Sequence, residues 1–153
     1  MAIPVADRAV LDTNILLAAT DEARAEHSGA VAAINAWPAA GLVLYTSGQI
    51  LREYLAVATR PVPQNGLGMQ SAAAIDNVIA FRTRLTVLPE DVRVADRLVD
   101  LLRAVDCSGK QVHDANVVAT MLVYGVDTIA TVNVADFARF GDLVQVVELS
   151  LAP

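Results

Sequence analysis

Short apolar runs and longer helical patterns alternate along the chain, and this alternation limits the folds open to it. Strand-like apolar runs stand at residues 8–11, 42–45, 86–88, 126–131 and 143–147. Apolar residues at helical spacing predict helices at 13–19, 26–37, 50–58, from 71, from 91 and at 113–124. Strands separated by helices pair in parallel through right-handed crossovers. The sequence therefore predicts an α/β fold, a three-layer α/β/α sandwich around a central parallel sheet of about five strands.

Capping residues and helix breakers mark where several helices should begin and end. Ser47 and Asp91 are expected N-caps, Pro38 should stop the second helix, and Gly125 should close the last one. The apolar sides of the helices that begin near residues 71 and 91 are predicted to carry Ile75, Val78, Ile79 and Phe81, and Ala95, Leu98, Leu102 and Val105. Residues 60–70 contain two prolines and two glycines, which predicts a hinge or lid within one domain spanning 1–153.

The apolar content is high, yet no segment suits a membrane. Hydrophobic residues make up 55% of the 153 residues and mean hydropathy is +0.47. No apolar run nears the roughly 18 residues of a membrane span. The surplus apolar surface is expected either in a homodimer or partner interface or in a wholly buried sheet. A single cysteine, Cys107, and a first segment without signal-peptide features predict a cytoplasmic protein.

The charge balance argues against binding nucleic acid through bulk electrostatics. The net charge is −6 and the pI is about 4.7. The distribution softens that objection, because ten of the 11 basic residues are arginines, whose planar and permanently charged fork suits phosphate. Seven of the arginines fall in the middle of the chain: Arg52, Arg60, Arg82, Arg84, Arg93, Arg97 and Arg103. Any one of them could equally be a solvated helix residue.

Four acidic residues stand where the predicted sheet could bring them together. Asp12 follows the first strand, Asp136 follows the fourth, and Asp114 falls in the first turn of a helix. Ligands of parallel sheets bind outside the carboxyl ends of the strands. Glu53 leans toward the apolar side of its helix, which is costly unless it is paired or metal-bound. Simpler roles remain open: helix capping for Asp12, dipole stabilisation for Asp114 and a turn for Asp136.

Carboxylates gathered in one place repel one another unless a cation joins them. Mg²⁺, or Mn²⁺, would remove that cost, and Mg²⁺ keeps several waters, so one or two direct carboxylates with others acting through water are expected. Zinc is disfavoured because His27, His113 and Cys107 show no ligand spacing. Asn14 and Asn133 are suited to orient a carboxylate or a phosphate, although each could be only a turn former.

The four acidic strings together resemble the motifs of PIN-domain ribonucleases, and within them the VapC-type toxins of bacterial type II toxin–antitoxin systems. The strings are Leu11-Asp12-Thr13-Asn14, Arg52-Glu53-Tyr54, His113-Asp114-Ala115 and Thr131-Val132-Asn133-Val134-Ala135-Asp136-Phe137. The resemblance implies a catalytic set of Asp12, Glu53, Asp114 and Asp136. It implies direct metal binding by Asp12 and Asp114, and substrate-binding or orienting roles for Asn14, Arg52, Thr131 and Asn133. Some family members carry an acid where this chain has Asn133, so the fourth position is open between Asn133 and Asp136.

What the resemblance implies is a magnesium-dependent endoribonuclease that leaves a 3′-hydroxyl and a 5′-phosphate. It also implies a small VapB-type antitoxin as partner, bound by a helix in an apolar groove, and a homodimer. Two alternatives stay open. One is a PIN-like module that binds without catalysing; the other is a haloacid dehalogenase-like phosphohydrolase, which would need a second aspartate where Asn14 stands.

Overall fold

A five-stranded parallel sheet runs through the protein, with helices on both of its faces. The computed structural model describes residues 3–4 and 6–149. In chain order these residues form β1 Arg8–Leu11, α1 Thr13–Thr20, α2 His27–Ala39, β2 Val43–Ser47, α3 Gly48–Thr59, a 3₁₀ turn Val62–Gln64, α4 Ser71–Arg82, β3 Leu85–Leu88, α5 Val92–Ala104, α6 Gln111–Tyr124, β4 Thr128–Thr131, a 3₁₀ helix Val134–Phe140 and β5 Gln145–Glu148.

The strand order across the sheet is β3-β2-β1-β4-β5, and every neighbouring pair is parallel. The chain moves outward from β1 to β2 and β3, then returns past β1 to place β4 and β5 on the other side. The order therefore reverses between β1 and β4, which is where ligands bind in open α/β sheets. The predicted α/β/α fold is confirmed.

The helices divide into two layers according to the direction of these crossovers. Because parallel crossovers are right-handed, the helices that connect β1, β2 and β3 lie on one face and those after β3 lie on the other. Helices α1, α2, α3 and α4 accordingly pack on one another, and α5 and the Val134–Phe140 helix pack on α6.

The sheet itself takes up part of the apolar surplus. Strand β4 is buried at all four positions and β1 at three of its four, as expected when both faces are covered by helices. The largest fully buried side chains include Trp37, Tyr54, Phe137 and Phe140. Other apolar side chains stay at the surface, so the sheet does not absorb the whole surplus. No helix within the described residues is long and apolar enough to cross a membrane.

Local capping chemistry acts where the sequence predicts it. Ser47 accepts a hydrogen bond from the Ile50 amide at 3.3 Å, and Asp91 accepts one from the Arg93 amide at 3.0 Å. Gly125 ends α6 in the left-handed conformation at φ 65°. The predicted strand at 8–11 has the observed bounds, while the others shift by one or two residues at their ends.

Three details of the helices differ from the prediction. Pro38 lies inside the last turn of α2, and the helix ends one residue later, at Ala39. On α4, Ile75 and Ile79 are exposed, and the buried contact is made by Ala74. On α5, Ala95 is exposed and the fully buried positions are Val94 and Leu101. Leu98, Leu102 and Val105, the residue that follows α5, are half-buried.

Residues 60–70 are fastened to α3 by backbone hydrogen bonds, in contrast to the predicted hinge or lid. The amides of Leu67, Gly68 and Met69 donate to the carbonyls of Val57, Arg60 and Ala58 at 2.9–3.1 Å. A further bond joins the Gly66 amide to Pro61. The segment is therefore a folded continuation of the α3 C-terminus.

Candidate active site

Asp12 lies at the point where the strand order of the sheet reverses. It follows β1 directly, and its backbone amide donates to the Ala130 carbonyl of β4 at 3.0 Å. It is also the N-cap of α1, because its Oδ1 accepts from the Thr13 amide at 2.8 Å. Its second oxygen, Oδ2, accepts from the Thr131 hydroxyl at 2.9 Å. One residue thus caps a helix and presents a carboxylate to the crevice.

A small polar network around Thr131 fixes this side of the crevice. Thr131 is fully buried at the end of β4, and its Oγ1 accepts from the Asn14 side-chain amide and from the Asn133 backbone amide, each at 3.1 Å. Asn14 in turn accepts from the Val132 amide at 3.3 Å. Asn14 and Thr131 therefore orient Asp12, while Asn133 reaches the network through its backbone and is itself exposed.

Glu53 approaches Asp12 from α3 through a shared neighbour. Its Oε2 accepts from the Thr13 hydroxyl at 2.9 Å, and Thr13 is the residue whose amide binds Asp12. Its Oε1 accepts from the Gln49 side-chain amide at 2.8 Å. Both oxygens of the half-buried Glu53 are held, so the carboxylate has a fixed place beside Asp12.

Asp114 and Asp136 approach the same place from the other layer of helices. Asp114 is half-buried in the first turn of α6, and Asp136 is exposed in the Val134–Phe140 helix that packs on α6. Arg52 is 72% exposed and lies 3.9 Å from Glu90, so the structure places it at the rim, beside an acid. The exposed His113 precedes Asp114, and its carbonyl accepts from Gln49.

The charges of neighbouring carboxylates act on Asp12 and Asp114. Burial raises the pKa of Asp12 from 3.8 to about 6; the hydrogen bonds from Thr131 and Thr13 oppose the rise, and Glu53 and Asp136 add to it. The pKa of Asp114 is also raised to about 6, first by burial and then by the charges of Asp136, Asp12 and Glu53. The charges of Glu53 and Asp136 therefore reach both Asp12 and Asp114 across the crevice.

Comparison with known proteins assigns the family. The model of the PIN domain family matches residues 9–143, which is most of the chain and includes all four acids. This chain belongs to the PIN domain family. The haloacid dehalogenase-like alternative is thereby set aside. No curated protein matches the chain.

Solved structures share the fold of this PIN domain. VapBC2 from Rickettsia felis, bound to a promoter DNA fragment, matches with a TM-score of 0.66 at 13% identity over 92% of this chain and 98% of that one. A toxin–antitoxin complex from Klebsiella pneumoniae matches with a TM-score of 0.64 at 22% identity over 94% and 99%. VapC20 from Mycobacterium tuberculosis, described as a sarcin–ricin loop cleaving toxin, matches with a TM-score of 0.60 at 20% identity over 79% and 86%.

The donor atoms of this PIN domain suit a hard divalent cation. The four acids offer only oxygen donors, and the raised pKa values of Asp12 and Asp114 reflect burial and repulsion that a bound cation would offset. Within residues 3–4 and 6–149, no group of three or more His, Cys, Asp or Glu side chains is arranged to hold a metal ion. Mg²⁺ needs only one or two direct carboxylates when waters complete its shell. The resemblance assigns that smaller requirement to Asp12 and Asp114.

The sequence alone did not reveal the side chains that hold this PIN site together. Gln49, Asn116 and Glu90 form a hydrogen-bonded chain beside Glu53, and the Thr13 hydroxyl donates to Glu53. Thr13 and Gln49 each had a local signal, since one follows Asp12 and the other precedes Glu53 by one helical turn. Asn116 and Glu90 had none, because their partners lie 26 to 67 residues away.

Proposed function

We propose that this PIN domain is a magnesium-dependent endoribonuclease and the toxin of a toxin–antitoxin pair. PIN domain toxins are generally nucleases, and PIN domain nucleases generally use divalent metal ions. The observation that carries the proposal is the placement of Asp12 and Glu53 around Thr13 at the switch point of the sheet, where the charges of Glu53 and Asp136 also act on Asp12. Four acids in one crevice are costly to fold and suit metal-assisted hydrolysis of a phosphodiester.

In this proposal Asp12 and Asp114 hold the cation. When bound, the divalent ion supplies a Lewis acid for the phosphate and makes water a better nucleophile. Thr131 and the Thr13 amide keep Asp12 in one orientation, and each of its oxygens retains capacity to accept a further bond. Glu53 and the exposed Asp136 add acceptors that can orient a water or receive its proton.

RNA is the substrate that the relatives support. Among the structural neighbours, VapC20 cleaves the sarcin–ricin loop, an RNA target. We infer hydrolysis by water with loss of the 3′ oxygen, which leaves a 3′-hydroxyl and a 5′-phosphate. Arg52 is the residue before Glu53 and lies exposed at the rim, so we infer that this arginine meets the RNA backbone.

The proposed partner is a small antitoxin of the VapB type. Several structural neighbours are toxin–antitoxin complexes. Apolar side chains that remain exposed, including Ile75 and Ile79 on α4, give such a partner or a second copy of the chain a surface to cover. We infer a cytoplasmic homodimer that an antitoxin inhibits, with one domain in each chain.

The decisive experiment compares RNA cleavage by the wild type and by Asp12→Asn, with Mg²⁺ and with EDTA. The wild type should cut only with the metal, and Asp12→Asn should lose at least about 100-fold in rate because a charged ligand is removed. Asp127→Asn is the matched control. Asp127 is an exposed acid directly before β4, at the end of the strand opposite to the site. A wild type that binds Mg²⁺ but cuts no RNA would favour the non-catalytic binding module.

A further inference from the structure

Gln49 makes hydrogen bonds to two of the elements that carry the carboxylates. It lies in the first turn of α3 and is only 5% exposed. Its side-chain nitrogen donates to Glu53 Oε1 and to the backbone carbonyl of His113, both at 2.8 Å. Its side-chain oxygen accepts from the Asn116 amide at 2.6 Å. One buried amide therefore joins α3 to the first turn of α6.

The chemistry of the partners allows only one orientation of this amide. A carboxylate and a backbone carbonyl can only accept, so the nitrogen of Gln49 must face Glu53 and His113. Asn116 continues the chain, because its amide nitrogen also donates to Glu90 Oε1 at 2.7 Å. In this orientation the side-chain nitrogens of Gln49 and Asn116 each donate to two acceptors, and turning either amide would place its oxygen against two acceptors.

The bonds of Gln49 bear directly on the spacing of the acids. Glu53 is held on one oxygen by Thr13, the neighbour of Asp12, and on the other by Gln49. The carbonyl that Gln49 binds belongs to His113, the residue before Asp114. A continuous path of hydrogen bonds thus runs from Asp12 through Glu53 to the backbone beside Asp114.

We propose that Gln49 is a positioning residue, which sets the distance between the Glu53 carboxylate and the start of α6 that carries Asp114. This role rests on the proposed function of the site. A glutamine that served only to fill the core would have no reason to end its bonds on a site carboxylate and on the backbone next to another. Residues that orient metal-site carboxylates commonly change metal affinity or activity when they are replaced.

The test replaces Gln49 with methionine, which keeps the length of the side chain and removes its hydrogen bonds. Gln49→Met should lower Mn²⁺ affinity and kcat by roughly 10–100-fold, because the acids lose their spacing. The KM for RNA should stay near the wild-type value, since Gln49 is too buried to touch the substrate. If Gln49 had a purely structural role, Gln49→Met would lower the melting temperature and leave the Mn²⁺ affinity unchanged.

Asn77→Leu is the matched control for lost stability. Asn77 on α4 donates to the hydroxyl of the buried Tyr54, the residue after Glu53 on α3, at 2.9 Å. The control therefore removes an amide hydrogen bond to the same helix without touching a carboxylate. It should lower the melting temperature while Mn²⁺ affinity and kcat stay at the wild-type level.

The outcomes separate this role from the function on which it rests. If the wild type cuts RNA and Gln49→Met binds Mn²⁺ and cuts equally well, the positioning role is wrong and the nuclease stands. If the wild type binds Mn²⁺ but cuts no RNA, the nuclease proposal fails. The positioning role of Gln49 is then tested only by the Mn²⁺ affinity of Gln49→Met relative to the wild type. A wild type that binds no Mn²⁺ overturns both. If Gln49→Met does not fold, Asn116→Ala replaces it as the test, because this variant removes the hydrogen bond that the Gln49 oxygen accepts. We expect Asn116→Ala to weaken Mn²⁺ binding, and unchanged binding would overturn the positioning role.

Discussion

Asp12 shows how one side chain can serve both the fold and the site. As the N-cap of α1 it accepts from the Thr13 amide, and as a half-buried acid it accepts from the Thr131 hydroxyl beside the other carboxylates. Two hydrogen bonds do not offset its loss of solvent, because its pKa is still raised to about 6. Without a cation, the charged form of Asp12 therefore weakens the folded state.

This conflict predicts an unusual dependence of stability on pH in the metal-free protein. A carboxyl with a raised folded pKa gives its full stabilising contribution below the unfolded value of 3.8 and loses it as pH rises through about 6. Relative to Asp12→Asn, the wild type should lose up to roughly 3 kcal/mol between pH 4 and pH 7. Urea unfolding of both proteins in EDTA measures this, and a constant difference across the pH range would contradict it.

The carboxylates could be predicted from the sequence, but most of the side chains that hold them could not. Asp12 and Asp136 stand just after strands, so topology alone places them at one edge of the sheet. Gln49 and Asn116 are 67 residues apart, and no local sequence pattern around either residue predicts the hydrogen bond between their side chains. Such contacts depend on how α3 and α6 pack, which the three-dimensional structure determines.

Strands and helix ends were predictable because their signals are local. Ser47, Asp91 and Gly125 cap their helices through bonds within a few residues. The buried side of α5 was harder to predict, because apolar residues at 94, 98, 101, 102 and 105 fit two adjacent stripes. Packing against α6 selects the stripe that includes Val94 and Leu101.

The segment after α3 illustrates the same limit and gives a prediction. A Cβ added at Gly66 would lie 1.9 Å from the carbonyl oxygen of Arg60, which is backbone and cannot turn aside. Gly66→Ala should therefore lower the free energy of unfolding by roughly 3 kcal/mol, at the upper end of overpacking costs. Chemical denaturation measures the loss.

The control is Gly125→Ala, where an added Cβ meets no atom within 4 Å and only the positive φ of 65° is strained. That variant should cost about 1 kcal/mol. If Gly66→Ala costs no more than this control, residues 60–70 are looser than their hydrogen bonds to α3 indicate, and the predicted hinge or lid regains support.

The molecule as a whole has more apolar surface than its sheet can bury, which predicts self-association. Ile75 and Ile79 on α4 are 49% and 58% exposed, and a 290 Å³ groove beside Ile75 is lined by Leu55 and Ala56. We expect a dimer of twice 16.1 kDa in analytical ultracentrifugation, and a monomer for Ile75→Glu/Ile79→Glu. Val92→Glu on α5, equally apolar and 71% exposed, should remain dimeric. A monomeric wild type would exclude the homodimer.

The acidic balance of the whole molecule predicts that RNA is held by few phosphate contacts. The net charge is −6, and Arg24, Arg93 and Arg103 each lie within 4 Å of an acid. Single-stranded RNA loses affinity with a log–log salt slope of about −0.7 per phosphate contact, so two or three contacts give a slope between about −1.4 and −2.1.

The KM for RNA at fixed Mg²⁺, measured between about 50 and 200 mM salt, reports this slope. Arg52→Gln at the rim of the site should make it shallower by about one contact, because that arginine is 72% exposed and directly precedes Glu53. Arg8→Gln should leave it unchanged, since Arg8 begins β1 at the opposite edge of the sheet. A slope several times steeper would mean that a basic surface binds the RNA, and the metal site would then contribute little to substrate affinity.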